Sequence, residues 1–172
     1  MSERKYAFSW DLVGDLNEGR PSLGIFTRIE LYRLMKYTLR DVIEAKLGTE
    51  ETDELFYNAG KMNGCAFYEY YLGKTENVSE FTRKLQSALI EMKVGVLRIE
   101  SITKGAENLV LTLDEDLTCS GLPDDGYEIC VYDEGLIAGF LEGFTGHSYR
   151  VKETECWHTG YRTCRFTADM IA

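Results

Sequence analysis

The sequence predicts an α+β domain in which helices lie on one side of an antiparallel sheet. Three observations predict it. The N-terminal half carries apolar residues near helical spacing, two pairs of β-rich runs follow it, and a glycine-striped helical segment separates the pairs.

The elements follow in order. "LGIFTRIELYRLMKYTLRDVIEAKL", Leu23 to Leu47, reads as a helix in which Ile25, Phe26, Ile29, Leu34 and Val42 recur near helical spacing. Gly48 follows it as a C-terminal stop. A second helix is expected from Thr52 to Leu72, where Ala59, Gly60, Asn63 and Gly64 come close together on one surface. Small residues there let another backbone approach, either across a dimer interface or in a tight crossing inside the monomer. A third helix opens at "NVSE", with Asn77 as cap and Glu80 three residues later, and stops at Gly95. "VLRIESITK" and "LVLTL" then form a hairpin around "GAEN". "TCSGLPDDGYEIC" is loop-like to about Tyr127, its acidic residues solvated. "DEGLIAGFLEGF" is a short amphipathic helix whose Gly135, Gly139 and Gly143 leave one face flat enough to press against a sheet. "YRVKETECW" and "RTCRFTAD" complete the chain as a hairpin turning near Thr159 and Gly160.

The chain's 172 residues fit a single domain, 1–172, with 44% hydrophobic and 28% charged residues. Its net charge is −10 and its basic residues are scattered singly, which argues against direct nucleic-acid binding. No apolar run approaches the ~20 residues that cross a bilayer, and "MSERKYAFSW" lacks a secretory apolar stretch. A cytoplasmic protein with no membrane partner is expected. In that compartment five cysteines point to thiols, metal ligands or redox switches rather than structural disulfides.

"ECWHTGYRTC" sets Cys156 and Cys164 on the arms of the last hairpin. Glu153 precedes Cys156 by three residues, an offset that points to the opposite face of a regular strand. The chain must bulge between them if they are to converge. With Cys130, at the head of the glycine-striped helix, they would form a tetrahedral set of one carboxylate and three thiolates of the kind Zn²⁺ accepts, closed and therefore structural. His158 is the substitute if Glu153 points away. Ordinary buried thiols and a Cys156–Cys164 disulfide remain the alternatives.

"GLIAGFLEGFTGHSYRVKETECWHTGYRTCRFTA" resembles the signature of the 4-vinyl reductase (V4R) domain family: a glycine-punctuated helix, a strand ending in Glu-x-x-Cys, then a turn glycine and a second Cys before an aromatic. The motif-bearing part is about 128–168. Phenol-responsive activators carry this domain as their sensor, and the spacing of Cys130, Glu153, Cys156 and Cys164 repeats that of their zinc ligands gap for gap. The resemblance implies the ligand-binding fold shared with nitric-oxide sensor domains and Golgi-trafficking subunits. It further implies a homodimer through N-terminal helices and an apolar, hydrocarbon-like ligand between helices and sheet. Zinc is the implied metal, and iron can replace it in thiolate-rich sites. With no output domain in the sequence, a signal would pass through dimerisation or a separate output protein.

The phenol sensors grip the phenol oxygen with a histidine and a tryptophan upstream of the first zinc cysteine. This chain has no histidine before His147 and only Trp10 upstream, so its pocket should be more apolar or use other polar groups. No catalytic set is recognisable. Neither a dinucleotide fingerprint nor a Ser-His-Asp arrangement occurs, and enzyme activity does not follow from the family name. Two further readings are an accessory protein or reductase of tetrapyrrole metabolism, and a redox-responsive interaction protein in which oxidation ejects the metal. Phe67, Tyr68 and Tyr71 are read as core with a secondary ligand-lining role. Trp157 is expected to shield the metal site and Trp10 to anchor the N-terminus. Cys65 and Cys119 fall in no motif.

Overall fold

The computed structural model describes residues 5–171. After a single turn, α1 (Leu16–Gly19), come three helices: α2 (Ile29–Leu47), α3 (Thr49–Phe67), which continues as a π-helical turn over Tyr68–Leu72, and α4 (Val78–Glu91). β1 (Val96–Ile102) and β2 (Asn108–Asp114) precede α5 (Val131–Thr145), and β3 (Tyr149–Glu155) and β4 (Cys164–Met170) complete the chain. The α+β expectation holds. All pairings are antiparallel in the order β1-β2-β4-β3, so β4 joins the two hairpins into one sheet.

β3 and β4 alternate in burial as strands of one-sided sheets do. Tyr149, Val151 and Glu153 face inward from β3, and Cys164, Phe166 and Ala168 from β4. α4 packs on β1 and α5 on β3. α4 begins as its sequence requires, since Asn77 Oδ1 accepts the Glu80 N–H at 3.0 Å. The interior between helices and sheet is filled by Phe81, Leu85, Leu97, Leu111, Phe140 and Phe166.

The glycine stripe of α5 lies against α3 and not against the sheet. A Cβ on Gly135 would fall 2.0 Å from the Tyr57 carbonyl, and one on Gly139 2.3 Å from that of Lys61. From the other side, Gly60 and Gly64 meet the carbonyls of Tyr132 and Leu136. The small residues of α3 are thus consumed in a crossing within the chain. Two backbones at this distance gain dispersion and Cα–H···O contacts that any side chain would forbid.

α2 is inverted. The sequence reading starts it at Leu23, whereas it begins at Ile29, and Leu23, Ile25 and Phe26 are exposed in the segment before it. Its inward face is polar: Arg33 and Tyr37 are partly buried, and Lys36 is its one buried residue. Leu31, Leu34, Met35, Leu39 and Val42 point outward, each between 53% and 67% exposed. The apolar residues expected to bury this helix form its outer face, because the surface beneath it offers carbonyls and carboxylates. Among the described residues no helix is long and apolar enough to cross a membrane.

Candidate metal centre

The Sγ atoms of Cys119, Cys130, Cys156 and Cys164 all lie within 4.8 Å of one another, and all four residues are buried. Four local features converge to make this cluster. Cys130 is the N-cap residue of α5. Cys164 opens β4, paired with Leu113 of β2. Cys156 follows β3 just past a register shift between Glu153 and Glu155. That shift is the bulge the Glu153–Cys156 spacing demands, and it turns both side chains to one side. Cys119 comes from the loop between β2 and α5, whose acidic residues the sequence reading leaves solvated. The structure instead buries Asp116, and with it Thr118 and Cys119.

The sulfur separations are 3.8 Å for Cys130–Cys156, 4.0 Å for Cys130–Cys164 and 3.1 Å for Cys119–Cys164. A tetrahedral ion with Zn–S bonds of about 2.3 Å spaces its sulfurs about 3.8 Å apart, so the donor set suits a soft tetrahedral ion. All five cysteines are free, which removes the Cys156–Cys164 disulfide. Hydrogen bonds from Cys119, Cys130 and Cys164 push the Cys156 thiol far down, while Cys130 and Cys164, as proton donors within the cluster, are pushed up.

Glu153 reaches the same place. Its Oε2 accepts the Cys130 backbone N–H at 3.2 Å, and its own N–H donates to Glu134 Oε1 at 2.9 Å. Oε1 is buried with no hydrogen-bond partner. Burial, then the charge of Cys156, pushes its carboxyl up to about 9. His158 is buried but turned away: Nδ1 meets the Pro123 carbonyl at 2.5 Å and its ring meets Tyr127 edge-on. Trp157 packs against the core beside the cluster, with the Arg162 guanidinium 4.7 Å above its ring. Trp10 stacks on Tyr70 and so holds the N-terminal segment, while Tyr71 is exposed and Phe67 is core.

A second buried group adjoins the sulfurs. Asp116, Cys130 and Asp133 converge, and Lys36 enters from α2 with Nζ 2.7 Å from Thr118 Oγ1 and 3.5 Å from Asp133. Burial works to discharge the Lys36 ammonium, but the charges of Asp133 and its neighbours outweigh it and leave its pKa raised. Burial and Asp133 push Asp116 up to about 7. The sequence reading missed Cys119, Asp116 and Lys36. Spacing places Cys119 in no motif, and only the loop's return across the cluster brings it in.

Comparison with known proteins places this geometry. Residues 109–169 match the V4R domain. The uncharacterized protein MJ1642 of Methanocaldococcus jannaschii is 27% identical over 150 residues, 87% of this chain and 81% of its own. A vinyl-4-reductase family protein from Methanocaldococcus jannaschii superposes with a TM-score of 0.65 at 18% identity, over 97% of this chain and 99% of that one. The phenol-responsive sensory domain of the transcription activator PoxR, crystallised with phenol, gives 0.62 at 16% identity, over 85% and 76%. The fold extends to a trafficking protein particle complex subunit 3 from Naegleria fowleri, at 0.61, 11% identity, 84% and 95% coverage. An H-NOX protein from S. oneidensis shares it at 0.53, 12% identity, 94% and 89% coverage. The expected kinship in fold with H-NOX proteins and trafficking subunits is therefore found, and residues 109–169, which match the V4R domain, contain all four cysteines of the cluster.

Proposed function

We propose that this chain is a small-molecule-binding sensor domain whose last hairpin, loop and helix are tied together by a structural metal ion, zinc in the first instance. One observation carries the reading: four buried sulfurs from separate parts of the chain, within 4.8 Å of one another and without a disulfide. Cys130, Cys156 and Cys164 supply three ligands, and Glu153 and Cys119 both face the fourth position. The metal would supply cross-linking only, since a filled tetrahedron leaves no place for substrate. Metal analysis of untagged protein is expected to find about one ion per chain, and Cys130→Ser or Cys156→Ser to lose it together with several kcal/mol of stability. Metal-free protein with five freely titrating thiols would overturn the reading.

For the ligand we propose a recess of about 430 Å³ between the N-terminal segment, α3 and the first turn of α5, lined by Phe8, Ala59, Met62, Asn63 and Tyr132. Its walls are mostly apolar. Its polar feature is the Asn63 Nδ2 donation to the Tyr132 hydroxyl at 3.0 Å. That combination suits a neutral apolar or aromatic molecule carrying one hydrogen-bonding group. The fluorescent probe N-phenyl-1-naphthylamine should bind saturably, and Met62→Glu should weaken it about tenfold or more, because the bound probe would have to desolvate the carboxylate. Equal binding by the variant would dismiss the recess. α2's outward apolar face supports a second copy as partner, and a separate output protein would read the dimer.

A further inference from the structure

We infer that Cys119, and not Glu153, is the fourth ligand of this site, and that metal occupancy is thereby what fixes helix α2 to the body of the fold. The inference rests on the metal reading of the thiol cluster. Five donors face a tetrahedron that takes four. Cys119 is fully buried and its sulfur lies 3.1 Å from that of Cys164, within the group of four mutually close sulfurs. Glu153 is already engaged, with Oε2 holding the Cys130 backbone N–H at the start of α5. Its unpartnered Oε1 could serve a ligand sulfur only as the O–H donor of a protonated carboxyl, behind the metal's own ligands, since a metal-bound thiolate has no proton to give. A set of four thiolates is also the softer choice for a soft ion.

The loop that carries Cys119 is the one α2 grips. Arg33 Nε donates to the Leu117 carbonyl at 2.9 Å and its Nη2 to that of Ser120 at 2.8 Å. Tyr37 Oη donates to the Thr118 carbonyl at 2.8 Å, and Lys36 Nζ to Thr118 Oγ1 at 2.7 Å. Elsewhere α2 is held by the Lys36–Asp133 and Arg40–Asp53 ion pairs and by the packing of Lys36 on Tyr132 and of Arg40 on Phe56. Because its apolar residues face outward, little apolar burial holds it down. Such a polar grip works only when its carbonyls are already ordered. Metal bound through Cys119 would order them from inside. An empty site would leave the loop loose and let α2, with its apolar face, swing or fray. The state of the metal would then set how that face is presented to a partner.

X-ray absorption at the zinc edge of the wild-type protein reads the ligand set directly. Four sulfur neighbours are expected; three sulfurs and one oxygen would overturn the assignment of Cys119. Cobalt-substituted Glu153→Gln should keep the wild-type thiolate spectrum, and Cys119→Ser should lose about a quarter of its sulfur-to-cobalt charge-transfer intensity and bind cobalt at least about tenfold more weakly. The reverse pattern would install Glu153 as the ligand. Hydrogen exchange completes the test. Stripping metal should speed exchange of α2 amides about tenfold or more while leaving α4 unchanged. Unchanged α2 exchange, with metal confirmed bound beforehand, would sink the coupling. Wild-type protein that binds no metal would instead fail the underlying metal reading.

Discussion

Thiolates held this close cannot all ionise without a cation, because each charge raises the cost of the next. Within the cluster the Cys156 thiol is pushed down and the Cys130 thiol up. A metal bound by these sulfurs would be released on acidification, as protons compete for every sulfur. A carboxylate at the far end of β2 gives a cleaner pH prediction. Thr163, then Arg98, bind Asp114 and hold its pKa below the ordinary value. A lowered pKa means that the folded state favours the ionised form. Its contribution is therefore present above the unfolded value of about 3.9 and fades as pH falls through the folded value. Partial exposure limits it to about 1 kcal/mol or less. Urea unfolding of wild type and Asp114→Asn should differ by that amount at pH 7, and the gap should close towards pH 3. A gap that widens in acid would contradict the assignment.

The crossing of α3 and α5 is the element on which the site's placement depends. It sets the start of α5, and with it Cys130 and Tyr132, against α3. Gly64→Ala would put a Cβ 2.2 Å from the Leu136 carbonyl and 2.9 Å from Gly139 Cα, contacts that neither backbone can relieve alone. The expected cost is about 3 kcal/mol or more, with loss of metal as Cys130 shifts. A midpoint within about 0.5 kcal/mol of wild type would show that the crossing is looser than it appears. Much of this element is legible in the sequence. The spacing of Gly135, Gly139 and Gly143 announces a close approach by something flat, and Gly60 and Gly64 announce the same on α3. What meets what is not legible, since a glycine stripe fits a sheet, a partner or another helix equally.

For the whole molecule the exposed face of α2 is the governing feature. Leu31, Leu34, Met35 and Val42, with Leu23 and Phe26 before the helix, present more contiguous apolar surface than a monomer usually leaves in water. A dimer through this face is expected. The double variant Leu34→Glu/Met35→Glu should sediment as a monomer with its metal retained, because neither residue touches the thiol loop. Sedimentation velocity at several concentrations checks it. A wild type that is itself monomeric at high concentration would remove the second copy as the occupant. The same variant separates α2's two faces, one gripping the loop at 117–120 and one exposed.

The sequence by itself determined the α+β class, both hairpins and the cap at Asn77, and its resemblance to the V4R family implied the gathering of Cys130, Cys156 and Cys164. The first three rest on local periodicity and turn chemistry, which neighbours in the chain settle among themselves. It also required a bulge between Glu153 and Cys156, and β3 has one. Only the tertiary structure decided that Cys119 joins the cluster, that α5 lies on α3, and that α2 turns its polar face inward. Each of these depends on what a distant segment offers. Carbonyls of the loop at 117–120 draw in Arg33 and Tyr37, and a helix so anchored must leave its apolar side to the solvent or to a partner.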